Sequence, residues 1–216
     1  TGTAIMQATV IQATTLTPFC YHSLMVQQGT ATLPEIIGDR ALAFALASTL
    51  GMIAARVALP AKNYRQHLAI MPFRTAVFVT NEPRLLPPRV CRLNLDAEAG
   101  LKEKVQSVAK RGNLKDYFLI QEVPPGQVFY GAVFGLDPFR ETGQRELVVR
   151  IGLHRNGMVK LESPDSSTAP ATVRLNAATA ALFGRELSVE RYLLHGLQLT
   201  APLTLAEAAA EVATWN

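Results

Sequence analysis

Cysteine is scarce in this chain of 216 residues: Cys20 and Cys91 are the only two, and they show no metal-ligand spacing. Reduced thiols in a cytoplasm are the simplest account, so a cytoplasmic protein is expected. No P-loop, no zinc-type Cys/His spacing and no serine nucleophile elbow occurs. The 17 acids are few and are not grouped as the ligands of metal-dependent nucleolysis would be. Neither a metal nor another cofactor is therefore expected. Long apolar runs are missing as well. The longest, Ala41 to Ala55, is interrupted by Ser48 and Thr49, too short for a membrane span, and reads as a buried helix. No period indicates repeats. With 49% hydrophobic and 18% charged residues, the composition is that of a globular protein with length for a real core. The sequence opens on Thr1 rather than Met, so the expectation is that a natural N-terminal stretch is missing.

What charge there is lies unevenly. The net charge is +4, yet the stretch from Lys62 to Arg92 alone carries +5, from six cations against Glu82. Such a localised basic segment is the electrostatic footprint expected of a nucleic-acid binder. Lys62, Tyr64 and Arg65 interleave an aromatic ring with cations, so a base can stack on Tyr64 while Lys62 and Arg65 reach phosphates. A solvated loop accounts for them equally well. Phe73 to Thr80 reads as a strand with Arg74 at its base. A proline-rich turn carries Arg84, and Arg89 to Leu95, with Arg92, reads as the return strand. Residues 62–95 are thus expected to form an inserted basic β-hairpin, a thumb that grips RNA or presses on a neighbour. The alternative is a charged hairpin that merely avoids edge aggregation.

Elsewhere, Ala4 to Thr15 alternates as a strand, and the loop after Thr17-Pro18 carries His22. An imidazole there can act as a general base, or as a structural or RNA-stacking ring. Asp39 is placed to cap a helix over Arg40 to Arg56, with Leu42, Leu46, Leu50, Ile53 and Val57 as one stripe. A strand followed by such a helix is the opening of a ferredoxin-like βαββαβ unit. Only Asp137 to Gly143 stands where a second core helix is due. Ala97 to Arg111 reads as a charged helix, Ser163 to Pro170 as a loop, and Thr172 to Leu175 as a strand. Leu205 to Trp215 reads as a helix within a C-terminal element, 203–216, with Trp215 as an anchor or a contact for another subunit.

The stretch from Asp116 to Glu162 organises the rest. Phe118 to Ile120 and Gln127 to Tyr130 flank Pro124-Pro125-Gly126 and read as one hairpin. Glu146 to Ile151 and Met158 to Leu161 flank a second turn, bounded by Gly152 and Gly157. Arg150, His154, Arg155, Asn156 and Lys160 lie at or beside that turn. Backbone N–H groups, guanidinium forks and an ammonium around glycines suit phosphate oxygens; an ordinary hairpin with solvated charges at its tip is the other reading.

The run Tyr117-Phe118-Leu119-Ile120-Gln121-Glu122-Val123-Pro124-Pro125-Gly126, then Phe129-Tyr130-Gly131 and Arg150-Ile151-Gly152 to Gly157, resembles the CRISPR-associated RAMP superfamily. The closing loop is similar to that of the subunit holding the guide-RNA 5′ handle in class 1 surveillance complexes, type IV and type I-D in particular. The resemblance covers about half the chain. It implies an α+β, ferredoxin-like (RRM-like) RAMP fold over 1–216, with the basic thumb and a degenerate second half. It implies a role in antiviral defence within a ribonucleoprotein complex. The partners implied are the guide RNA 5′ handle, the helical backbone subunit and the large subunit, with target DNA met only indirectly. Three functions stay open: a non-catalytic RNA-binding subunit, a metal-independent guide-RNA-processing endoribonuclease, and an unrelated ferredoxin-like ligand-binding protein. The second needs His22, His67 or Tyr64 beside a lysine.

Overall fold

A seven-stranded antiparallel sheet forms the body of the chain. The computed structural model describes residues 6–20, 24–26, 29–53, 63–94, 115–152 and 156–216. In chain order come β1 (Ala8–Thr15), β2 (Leu24–Val26), β3 (Gly29–Ala31), β4 (Ile36–Ile37), α1 (Asp39–Thr49) and α2 (Tyr64–Ala69). Next are β5 (Arg74–Thr75), β6 (Phe78–Val79), β7 (Arg89–Asn94), β8 (Lys115–Ile120), β9 (Val128–Phe134) and α3 (Pro138–Thr142). The chain closes with β10 (Glu146–Ile151), β11 (Gly157–Glu162), β12 (Thr172–Val173), α4 (Ala177–Leu182), β13 (Arg191–Leu194), β14 (Leu197–Leu199), β15 (Leu203–Thr204) and α5 (Leu205–Val212). The result is a mixed α+β fold. No helix among the described residues is long and apolar enough to cross a membrane.

The body sheet runs β10-β11-β1-β9-β6-β4, with β5 also on β9. Alternation decides which face is buried. Leu147, Val149 and Ile151 of β10 and Val159 and Leu161 of β11 point inward, while Glu146, Val148, Arg150 and Met158 point out. The inward set joins Ile11, Ala13, Phe129, Val133 and the α1 residues Leu42 and Leu46 in one core. The β10–β11 hairpin has the pairing its alternation demands, from Glu146 opposite Glu162 to Ile151 opposite Gly157.

Other expectations are corrected. β8 and β9 do not form a hairpin around Pro124-Pro125-Gly126. β9 pairs with β1, whereas β8 pairs with β7 and, in parallel, with β3 in a separate sheet ordered β2-β3-β8-β7. The Pro-Pro-Gly segment carries the chain from one sheet to the other, and Val123 bridges to Phe19 on the way. The basic thumb at 62–95 is likewise not a hairpin of Phe73–Thr80 against Arg89–Leu95. β5 and β6 belong to the body sheet beside β9, and β7 finds its partner in β8.

Helix α1 starts at Asp39, but Asp39 is not its cap: Gly38 holds that position and offers no side-chain bond. Its carboxylate is buried and turned inward instead. The helix ends at Thr49 rather than Arg56; residues 54–62, with Val57, lie outside the described residues, as does the expected Ala97 to Arg111 helix. Tyr64 and Arg65, read as loop, open α2, which Asn63 caps by accepting from the Gln66 N–H at 3.1 Å. Trp215, expected as an anchor or a subunit contact, serves as an anchor within the chain. It is 3% exposed, stacks on Phe183 with centroids 5.9 Å apart, and donates its indole N–H to Glu211 Oε1 at 3.1 Å.

Candidate nucleic-acid interface

The end of the sheet at which β1 finishes is laced together by polar contacts. Thr15 Oγ1 donates to the Pro124 carbonyl at 2.7 Å and accepts from the Gln127 N–H at 2.8 Å. Thr17 Oγ1 donates to the Asn156 carbonyl at 3.1 Å and accepts from the Met158 N–H at 2.8 Å. Phe19 exchanges both backbone hydrogen bonds with Val123. Three segments distant in sequence, 15–20, 123–127 and the described residues 151–152 and 156–158, thereby share one end of the fold.

Phe19 explains both glycines of the β10–β11 turn. A Cβ at Gly157 would lie 2.4 Å from Phe19 Cβ; one at Gly152 would lie 2.8 Å from the Cys20 carbonyl oxygen and 3.3 Å from Phe19 Cβ. Gly152 also has φ +81°, a conformation that L side chains rarely adopt. The close approach at these glycines is thus made by the chain's own Phe19–Cys20 segment.

The turn's cations divide. Arg150 stands on the outward face of β10, opposite Met158. Lys160 sits between two carboxylates, Glu162 at 2.9 Å and Glu146 at 3.4 Å. The hydrogen bond to Glu162 holds its ammonium above the usual lysine range, with Glu146 adding to the effect. Its charge is therefore balanced within the sheet, so its pull on a phosphate is weakened. Asn156 is exposed. His22, Lys62, His154 and Arg155 lie outside the described residues.

The basic segment is split by the fold. Arg84 is exposed and donates its Nε–H to Gln127 Oε1 at 3.2 Å. The Gln127 amide in turn donates to Thr80 Oγ1 and the Glu82 carbonyl. Arg89 makes a two-pronged pair with Glu122, at 2.9 and 3.2 Å. Both therefore reach the same sheet end as the β10–β11 turn. Arg92 stands on β7 opposite Tyr117.

Arg74 does not join them. It pairs with Phe134, which lies opposite Ala8, whereas the turn lies beyond Thr15. At about 3.3 Å per residue along β1, the separation is roughly 20 Å. The Arg74 guanidinium is turned inward: it donates to the carbonyls of Met71 and Phe73 at 2.8 Å and of Trp215 at 3.3 Å, and lies 4.9 Å over the Phe183 ring. Burial pulls it below the usual arginine range. Tyr64 also has internal work, packing against Phe44 at 6.0 Å and under the Arg40 guanidinium at 4.8 Å. Arg65 is exposed on α2.

Comparison with known proteins adds little beyond this geometry. No family model and no curated protein matches the chain. Among solved structures, the chain is similar to one in the cryo-EM structure of a Type III-B Cmr-beta bound to cognate target RNA and AMPPnP. The two are 14% identical, with 90% of this chain and 83% of that chain covered and a TM-score of 0.43.

Reading the sequence alone missed Thr15, Thr17, Phe19, Glu122 and Gln127 as parts of this end. Thr17-Pro18 announces a strand end, but nothing local in it announces that Phe19 seats two glycines more than a hundred residues away.

Proposed function

We propose that the chain is a non-catalytic RNA-binding subunit that caps the guide-RNA 5′ handle in a class 1 CRISPR effector complex and contacts its helical backbone subunit. One observation carries this reading: Arg84, Arg89 and the end of the β10–β11 hairpin converge on one end of the body sheet, although 66 positions separate Arg84 from Arg150 in the sequence. The order β11-β1-β9-β6, antiparallel throughout, supports a ferredoxin-like RAMP architecture. In it, the short Pro138–Thr142 helix stands for a reduced second half, and β10 is an added edge strand.

On this reading Arg150, His154, Arg155 and Arg84 meet the phosphate backbone, Arg89 being balanced by Glu122 as Lys160 is by Glu146 and Glu162, while Phe19 holds the turn in place from beneath. Each phosphate contact releases condensed counterions, so each lost cation lowers the log–log salt slope by about 0.7 on single-stranded RNA. Titration of wild type and the Arg150→Ala/Arg155→Ala variant against handle RNA, at several salt concentrations, tests it. The expected slope falls by about 1.4, with binding weakened about tenfold or more. Identical slopes and affinities remove the turn from the interface.

The same reading predicts that repeat RNA incubated with the protein stays intact, with magnesium and with EDTA alike. Cleavage that starts with magnesium and stops with EDTA overturns it. Metal-independent cleavage lost in His22→Ala would instead establish the endoribonuclease reading.

A further inference from the structure

β10 lies at one margin of the body sheet, and among the described residues no strand covers its outer side. Proteins commonly blunt such an edge with proline, a bulge or lysines. β10, Glu-Leu-Val-Val-Arg-Ile, contains neither proline nor lysine, and its register with β11 runs unbroken over six pairs. Its outward side chains are Glu146, Val148 and Arg150, an anion and a cation placed symmetrically about an exposed valine. Val148, on the edge strand, is 47% exposed; Met158, opposite Arg150, and Leu16, bonded to it, are 38% and 42% exposed further in.

That pattern is complementary to itself in only one direction. If two copies of β10 pair antiparallel about Val148, Glu146 of each faces Arg150 of the other, and Val148 faces Val148. Leu147 then stands opposite Val149 on the core side. Pairing in parallel would set Glu146 against Glu146 and Arg150 against Arg150, and like charges directly opposite are destabilising. A slip by one residue would turn the charges toward the core. We propose that this chain forms a two-fold homodimer through the outer edge of β10, joining two body sheets into one. A second copy is the occupant because the strand is its own charge complement, and a two-fold contact closes on itself instead of growing into a filament. Glu146 remains available: its side chain is 60% exposed, and Lys160 keeps Glu162 at 2.9 Å when Glu146 turns away.

Sedimentation of the purified chain over a wide concentration range tests this. The wild type is expected to show a reversible monomer–dimer equilibrium. Glu146→Arg alone and Arg150→Glu alone each place like charges at both ends of the pairing and should weaken the dimer by about tenfold or more. The double variant E146R/R150E restores opposite signs and should recover it, and an equimolar mixture of the two single variants should form a heterodimer. Val148→Lys sets two ammoniums on the two-fold axis and should abolish association. These positions face outward, so thermal melts followed by circular dichroism should stay near the wild type and separate lost association from lost folding. A wild type that is monomeric throughout overturns the proposal. So does a dimer indifferent to the single reversals or to Val148→Lys, or a swapped variant no better than either single.

Discussion

Asn176→Ala should lower the unfolding free energy by about 3–5 kcal/mol, a large part of what holds an ordinary domain folded. Asn176 is 1% exposed. Its amide donates to Asp39 Oδ1 at 2.8 Å and to the Gly196 carbonyl at 3.0 Å, with Thr179 Oγ1 3.1 Å from the same nitrogen. Its oxygen accepts from the N–H groups of Ala178 and Gln198, at 3.1 and 3.0 Å. One side chain therefore ties the start of α1, the helix Ala177–Leu182 and strand β14. Removing it leaves a buried carboxylate with only the Thr179 hydroxyl, at 2.6 Å, as a side-chain donor, and strands two backbone donors. Denaturant titration followed by circular dichroism measures the effect. A loss below about 1 kcal/mol would mean that Asp39 is solvated or that the clasp is dispensable.

Asp39 also fixes the sign of a pH dependence. Burial raises its pKa above the ordinary aspartate value, and the bonds from Thr179 and Asn176, with the charge of Arg40, pull it only part of the way back. The folded chain thus holds this proton to higher pH than the unfolded chain does. Its contribution to stability is fully present below the unfolded value and is lost as pH rises through the folded one. Asp39→Asn cannot titrate there. The stability of wild type relative to Asp39→Asn should therefore fall as pH rises above the unfolded aspartate value. A difference that is flat or rises with pH would refute the assignment.

The sequence made the β10–β11 hairpin legible because its alternation and its two glycines are local signals. β1 and the start of α1 were legible for similar reasons. The destination of β8 was not: Pro124-Pro125-Gly126 has the composition of a hairpin turn, and only the bridge from Phe19 to Val123 shows the chain passing between sheets. Asp39 misled in the same manner. A short polar residue ahead of an apolar run looks like a cap until Asn176, 137 positions on, claims its carboxylate. Asn176 itself carried a readable signal, since Asn ahead of Ala-Ala-Thr-Ala-Ala-Leu is a good N-cap, and its side chain accepts from the Ala178 N–H. Charge counting found the basic segment but not its fate. The count sees Arg89 and Arg74 as equals, whereas the fold gives one Glu122 and the other three carbonyls and an aromatic ring.

Gly131→Ala should destabilise the fold by about 3 kcal/mol, although it adds a single methyl group. Gly131 lies in β9 opposite Ile11, at the centre of the body sheet. A Cβ there would stand 2.2 Å from Cδ1 and 2.5 Å from Cε1 of Phe78, whose ring is fully buried. Glycine inside a strand marks a close approach, and here the approaching group is that ring lying on the backbone. The ring has nowhere to retreat, because Val77 and Ala76 beside it are buried too and β6 is held between β4 and β9. The loss should come from this one clash, so it should be conditional on the ring. Phe78→Leu alone should also destabilise, but Gly131→Ala added to it should cost well under the sum of the two separate losses. Denaturation midpoints for the wild type, both single variants and the double variant complete the cycle. Additive losses would show that Phe78 is not what forbids a side chain at 131, and that the strand needs glycine for its backbone alone.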